Sequence, residues 1–217
     1  MPVSDDLNAA AAVPEATTPP AALRKRPRPG ERRVQILQTL AGMLEQPGAD
    51  RVTTAALAAK LEVSEAALYR HFASKAQMFE GLIEFIESSI FTLLNQIIER
   101  EGASGAAQAQ KIVAVLLQFG ERNPGMARVM VGDALVYENE RLVARMNQFF
   151  DRIESALRQV LRAAAEASGS PTPTVDANAQ ASVLVSFIIG RLQRYARSGF
   201  KRLPSEQLDA ALRMLAA

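Results

Sequence analysis

The chain has 217 residues, which allows one or two domains with a real hydrophobic core, and it contains no cysteine and a single histidine, His71. Disulfides and thiol chemistry are excluded, and a histidine-based metal site is not expected. There is no P-loop, dinucleotide-binding glycine motif or nucleophile elbow, so we predict no cofactor, no metal, no catalytic residue and no enzyme activity. With no long apolar run and no signal-peptide pattern, we expect a cytoplasmic protein without a membrane span.

The net charge of +2 conceals an uneven distribution along the chain. Residues 1–23 carry three acidic groups and no Lys or Arg, residues 24–75 carry ten basic against five acidic groups, and residues 76–217 carry fifteen of each. A basic excess confined to one segment is the electrostatic pattern of a nucleic-acid-binding region. A solvated charged surface produces the same pattern, so charge alone does not decide.

The first 30 residues are predicted to be a disordered tail that ends in a basic arm. Residues 1–23 are rich in Ala, Pro and Thr and have few large apolar groups. The arm, Arg24–Arg33, holds six basic residues. We expect it to be flexible and to add contacts to phosphates or to the minor groove of DNA.

Four helices follow the arm in close succession. Apolar spacing predicts helices over Glu31–Leu44, Thr54–Leu61 and Glu65–Phe72, and a long helix from Lys75. Val34, Leu37, Leu40, Ala41 and Leu44 form the apolar face expected for the first of these helices. Residues with hydroxyl side chains precede the other three and are typical N-caps: Thr53, Ser64 and Ser74.

The two short helices are typical of a helix-turn-helix, in which the second helix enters the major groove of duplex DNA and the first crosses the backbone. Leu68 and Phe72 are predicted to face the core. Alanine methyl groups suit thymine methyl groups, and the Glu65 carboxylate suits the cytosine amino group. The predicted DNA-binding residues are Thr53, Thr54, Ser64, Glu65, Ala66, Ala67, Tyr69, His71, Lys75, Arg32 and Arg33.

Each of these side chains also has a purely structural interpretation. Tyr69 could be a core aromatic residue, and His71 could cap or pack rather than bind phosphate. The tandem Thr53 and Thr54 could act only as a helix cap.

The rest of the sequence is also helical in pattern. A break at Gly102–Ala107 is followed by a helix to about Arg122. Further helices are predicted at about Met126–Leu135, Glu138–Ala167 and Asp176–Ser198, with a short last one after Pro204. No strand pattern appears. We therefore predict an all-α fold, with a three-helix DNA-binding domain at 31–74 and a larger helical domain at 75–217.

The segment VTTAALAAKLEVSEAALYRHFASKAQMF (Val52–Phe79) resembles the N-terminal domain of the TetR family of bacterial regulators. It contains that family's T-x-x-x-L-A, V-S, L-Y-x-H-F and S-K patterns in order. One departure is Glu62, where many members have glycine because the turn favours a left-handed backbone; a residue with a side chain should cost about 1 kcal/mol there.

The resemblance implies a homodimer that binds palindromic DNA sites and dimerises through its last two long helices. The apolar stripe available for this comprises Val183, Leu184, Phe187, Ile188 and Leu192. By itself such a stripe is more often part of an ordinary core.

Two longer segments, SEAALYRHFASKAQMFEGLIEFIE and FGERNPGMARVMVGDALVYENERLVARMNQFFDRIE, resemble a nucleoid-associated branch of the family whose DNA-bound dimers antagonise the division protein FtsZ. That resemblance implies FtsZ as a partner, with Phe85, Arg122 and Asn123 as contact residues. Other family members bind a small molecule in this domain and release DNA. A ligand-responsive transcriptional repressor is therefore the alternative function.

Overall fold

The computed structural model describes residues 30–46, 51–100 and 104–215, and every regular element within those ranges is helical. The predicted tail and most of the basic arm lie outside the described residues, as do Pro47 and Gly48. The helices are α1 (Glu31–Leu44), α2 (Thr54–Lys60), α3 (Glu65–Tyr69), α4 (Lys75–Ile98), α5 (Gly105–Arg122), α6 (Pro124–Met130), α7 (Glu140–Ala167), α8 (Pro173–Arg197) and α9 (Leu208–Leu215), with one 3₁₀ turn at Asp133–Leu135. The predicted all-α fold is confirmed.

The first three helices pack around a small apolar core that includes Leu40, Leu57, Leu68 and Phe72, all fully buried. The inner face of α1 differs from the predicted one, because Val34 is 54% exposed while Ile36 is buried. Position 36 lies on the same face as Leu40 and Leu44, one and two turns later, so helical geometry places it toward the core.

The α3 helix is shorter than predicted. It ends at Tyr69 rather than Phe72. At this end the Leu68 carbonyl accepts both from the His71 N–H at 2.9 Å, with the spacing of a 3₁₀ turn, and from the Phe72 N–H at 3.1 Å, and such shared bonds tighten the last turn of a helix. Phe72 still enters the core, as predicted.

The long helix α4 connects the DNA-binding unit to the remaining helices. Among the described helices, α4 is the one that is long and apolar enough to cross a membrane, with a mean hydropathy of 1.3. Its apolar residues Phe79, Ile83 and Ile90 are nevertheless fully buried within the protein. Glu80 and Glu87 on the same helix form ion pairs with arginines of α7, so α4 is a core helix.

The C-terminal helices form a second packed layer, in which α7 and α8 share the most extensive helix–helix interface. The predicted helix over Met126–Leu135 is wrong in its bounds: α6 begins at Pro124 and ends at Met130. Gly132 adopts a positive φ of 83° after α6, which interrupts the helix and leads into the 3₁₀ turn. Two later helices also start away from the predicted residues, at Glu140 and Pro173.

Candidate nucleic-acid interface and partner surface

Each of the three helices after α1 begins with a residue whose side-chain hydroxyl caps it. Thr53 Oγ1 accepts from the Ala56 N–H at 3.1 Å, Ser64 Oγ from the Ala67 N–H at 3.3 Å, and Ser74 Oγ from the Gln77 N–H at 3.2 Å. All three predicted caps are therefore present. A hydroxyl that accepts a cap bond still has its own proton to donate, so capping does not exclude a phosphate contact by Thr53 or Ser64.

A side-chain hydrogen bond joins the starts of α2 and α3. The Thr54 hydroxyl donates to the Glu65 carboxylate at 2.6 Å. Glu65 is exposed and keeps further acceptor capacity, because an ionised carboxylate accepts several hydrogen bonds. The bond fixes the direction of the carboxylate at the first turn of the recognition helix.

The remaining predicted groove residues lie on the outer side of α3. Ala66 is exposed and Ala67 is half-buried. Tyr69 is 45% exposed, so its interpretation as a core aromatic residue is wrong. His71 is half-buried, and its carbonyl is occupied by a contact from α1.

The two arginines at the start of α1 have different partners. Arg33 donates from Nη1 to the His71 carbonyl at 2.5 Å, and its guanidinium lies 4.2 Å from the centre of the Phe72 ring. It therefore links α1 to the end of the recognition helix by a hydrogen bond and a cation–π contact. Arg32 donates to the Gln35 side chain at 2.6 Å on the same helix.

Lys75, at the start of α4, forms an ion pair with Glu138 in the segment before α7. The ammonium also lies 5.7 Å from the centre of the Phe79 ring, one turn further along α4. Its side chain is thus directed along α4 toward the C-terminal layer. A phosphate contact by Lys75 would have to compete with Glu138.

The three predicted partner-binding residues gather at one place between α4 and α5. Phe85 of α4 is 47% exposed, and its ring centre lies 6.5 Å from that of Phe119 on α5. The Asn123 side-chain amide donates to the Phe119 carbonyl at 2.8 Å, and Arg122 is exposed beside it. Phe85 and Asn123 thus both contact Phe119, and aromatic residues and arginine are the side chains enriched at binding hot spots.

The turn that carries Asn123 also contacts the DNA-binding unit, which the sequence did not indicate. Gly125 lies so close to α1 that a Cβ atom there would be 2.1 Å from the Ala41 carbonyl oxygen. Arg128 donates to the Leu44 carbonyl at 3.3 Å, at the C-terminal end of α1. The α6 helix, which directly follows Asn123, therefore contacts α1.

The predicted dimer stripe on α8 divides between two faces. Leu184, Ile188 and Leu192 are buried in the protomer, whereas Val183 is 49% exposed. Gly190, on the outer face of α8, is exposed, and a Cβ atom there would meet nothing within 4 Å. A glycine inside a helix costs about 1 kcal/mol relative to alanine, and nothing within the protomer requires it.

Two open grooves, of about 730 and 680 Å³, lie along α8 at the surface of the described C-terminal domain. Among the described residues, no charged side chain is buried, the hydroxyl of buried Tyr195 is bonded to the Glu121 carbonyl, and the rest of the core is apolar. Such a core lacks the convergent polar groups that orient a small molecule in a buried site.

Two family models match the chain. Residues 36–82 match "Bacterial regulatory proteins, tetR family", and residues 105–217 match a model described as "Tetracyclin repressor-like, C-terminal domain" of the SlmA-like type.

Curated relatives cover nearly the same length. The nucleoid occlusion factor SlmA of Photobacterium profundum is 50% identical over 187 residues, covering 86% of this chain and 94% of the relative. The protein of the same name from Vibrio cholerae has the same identity and coverage.

Solved structures of lower identity share the fold. A TetR-like transcriptional regulator from Rhodococcus aligns with a TM-score of 0.68 at 20% identity, covering 88% of this chain and 94% of that one. The regulator FadR from Bacillus subtilis aligns with a TM-score of 0.67 at 15% identity, covering 85% and 97%.

Proposed function

The chain belongs to the TetR family of bacterial regulators, in the branch with an SlmA-like C-terminal domain, and on that premise we propose that it is a nucleoid occlusion factor. It binds duplex DNA as a homodimer and inhibits FtsZ assembly over the chromosome. The activity is binding, with no catalytic step, and the site of action is the nucleoid in the cytoplasm. The observation that carries the proposal is the 50% identity, over nearly their whole length, to relatives with that name.

The DNA half of the proposal rests on the unit at residues 31–74. Its capped helices α2 and α3 present Thr53, Thr54 and Glu65 on one exposed side, with Ala66 and Tyr69 beside them. Hydroxyl groups and helix starts suit phosphates, while short side chains let a helix approach base edges closely. We assign a phosphate contact to Thr53 and base contacts to Glu65 and the alanines, while Thr54, whose proton is donated to Glu65, orients that carboxylate.

Dimerisation rests on the outer faces of α7 and α8. Dimers of helix-turn-helix proteins bind two half-sites about one helical turn of DNA apart, so palindromic sites match a two-fold protein. The exposed Val183 and the open space at Gly190 support α8 as the helix that meets its copy.

The partner half rests on the surface formed by Phe85, Phe119, Arg122 and Asn123, which we call the α4–α5 surface. A half-exposed ring on α4 and an exposed arginine at the end of the neighbouring helix α5 support docking of a peptide segment that has both apolar and acidic groups. We propose FtsZ as the protein that supplies this segment.

A ligand-responsive repressor is the second candidate. It is supported by the two structural neighbours described above, both of which are named as transcriptional regulators. The apolar described core counts against a buried effector site.

Co-sedimentation with FtsZ polymers, with and without DNA carrying the cognate site, tests the proposal. We expect the DNA-bound protein to pellet with FtsZ and to reduce polymer mass. Phe85→Ala should abolish this while operator binding is retained; Val175→Ala, which removes an exposed apolar side chain at the start of α8, is the control. Absence of FtsZ binding by the wild-type protein, both with and without DNA, would refute the proposal. A rise in melting temperature with one member of a metabolite panel would favour the repressor.

A further inference from the structure

The last turn of α5, from which Arg122 and Asn123 project, is fastened to the segment between α8 and α9. Glu121 extends its carboxylate to Ser205, accepting from the Ser205 N–H at 3.3 Å and also from its hydroxyl. The Tyr195 hydroxyl of α8 donates to the Glu121 backbone carbonyl at 3.1 Å. Three hydrogen bonds therefore converge on the residue next to Arg122.

Close helix packing reinforces these bonds. A Cβ atom at Gly120 would lie 2.4 Å from a methyl carbon of Leu192, so the absence of a side chain at Gly120 lets the Leu192 side chain of α8 pack directly on the α5 backbone. Tyr195 is itself held by the Phe200 ring, whose centre is 5.2 Å away in an edge-to-face arrangement. Burial of its hydroxyl raises the pKa of Tyr195, so the group stays protonated and remains a donor at neutral pH.

These hydrogen bonds join the end of α5 to α8 and to the segment before α9. Their shared target is the end of α5, where the chain leaves the helix through Asn123 and Pro124. The carbonyls at a helix end have no partner within the helix, and the last turn frays unless something outside holds it. Here the Tyr195 hydroxyl supplies such a partner to Glu121.

We propose that Glu121, Tyr195 and Ser205 are positioning residues for the α4–α5 surface. They hold the last turn of α5 so that Arg122 and Asn123 stand beside Phe85 in one binding geometry. The inference rests on the proposed function, because it treats this surface as the FtsZ site. Its mechanism is preorganisation: a turn already fixed in its bound form loses less entropy on binding.

Ser205→Ala in the full-length dimer tests the proposal by two measurements. The first is hydrogen exchange of the amides of residues 119–125, which needs no partner and should become faster. The second is FtsZ co-sedimentation with operator DNA, in which affinity should fall about threefold to tenfold, as is usual for coupled neighbours. Ser205→Thr, which keeps the hydroxyl, should restore both, and operator affinity should not change.

The matched control is Ser170→Ala. The Ser170 hydroxyl also donates to a carboxylate, that of Asp176, but in the turn between α7 and α8. It should alter neither the exchange at 119–125 nor FtsZ binding. In a double-mutant cycle, the effect of Ser205→Ala on FtsZ affinity should largely disappear when Arg122→Ala is already present, because Ser205 acts through that turn.

Unchanged exchange at 119–125 overturns the inference, and so does full additivity with Arg122→Ala or an equal loss of binding in Ser170→Ala. If the wild-type protein does not bind FtsZ, the proposed function fails. The exchange comparison then still decides whether the Glu121–Ser205 contact holds the turn.

Discussion

The hydroxyl of Thr54 donates a 2.6 Å hydrogen bond to the carboxylate of Glu65, joining the first residues of α2 and α3. The two helices of the DNA-binding unit have different tasks, since one lies on the phosphate backbone and the other enters the groove. A bond between their starts fixes the angle at which Glu65 meets a base edge.

Thr54→Val should weaken operator binding about fivefold, the equivalent of one modest hydrogen bond of about 1 kcal/mol. Valine keeps the shape of threonine and removes only the donor, so the fold should persist. Titration of operator DNA by fluorescence anisotropy measures the effect. Thr39→Val is the control, because the Thr39 hydroxyl bonds the Gln35 carbonyl within α1 and should leave affinity unchanged. Equal affinities for wild type and Thr54→Val would show that this bond does not orient the reading helix.

Glu62, in the turn between α2 and α3, has a φ of +55°, the left-handed conformation that favours glycine. Glu62→Gly should therefore relieve backbone strain, while any glycine also gains entropy in the unfolded state. Glu99→Gly provides the matched comparison, because Glu99 is also exposed but has a φ of −76°. We expect the free energies of unfolding of the two variants to differ by about 1–2 kcal/mol in favour of Glu62→Gly, measured by urea denaturation. Equal values would mean that position 62 stores no strain.

Local sequence signals predicted the DNA-binding unit well and the connections of the C-terminal layer poorly. The caps at Thr53, Ser64 and Ser74 were predictable because a hydroxyl and the N–H it accepts from are three residues apart. The contact of Gly125 with Ala41 and the bonds of Glu121 with Ser205 join residues 84 apart, and no spacing rule reaches that far. The exposure of Val183 beside buried Leu184 was likewise unpredictable, since an apolar stripe does not tell which side faces the core.

Gly190→Leu should weaken the dimer without unfolding the protomer. The position is open in the protomer, so leucine meets no clash there, and its better helix propensity should raise protomer stability by up to about 1 kcal/mol. If two α8 helices approach at this glycine, the added side chain separates them, and the dimer dissociation constant should rise at least about tenfold, a cost of about 1.4 kcal/mol. Gly42→Leu in α1 is the control, because that glycine is also helical with open space around it. Sedimentation equilibrium distinguishes the outcomes, and an unchanged dissociation constant places the dimer interface elsewhere.

Glu138→Gln should strengthen DNA binding by releasing Lys75. In the structure the Lys75 ammonium is paired with Glu138, whose side chain is only 9% exposed, against 23% for that of Lys75. Glutamine keeps the shape and one acceptor oxygen but removes the charge, so the ammonium becomes available to a phosphate. One added phosphate contact should steepen the dependence of log K on log salt concentration by about 0.9.

Glu140→Gln separates this effect from a general change in charge. Glu140 is exposed at the start of α7, two residues from Glu138, and its replacement changes the net charge by the same amount. General electrostatics predicts a similar gain for both variants, whereas release of Lys75 predicts a steeper salt dependence only for Glu138→Gln. In Lys75→Ala the Glu138→Gln substitution should have no further effect on the slope. A steeper slope that survives in the Lys75→Ala background would show that another cation makes the contact.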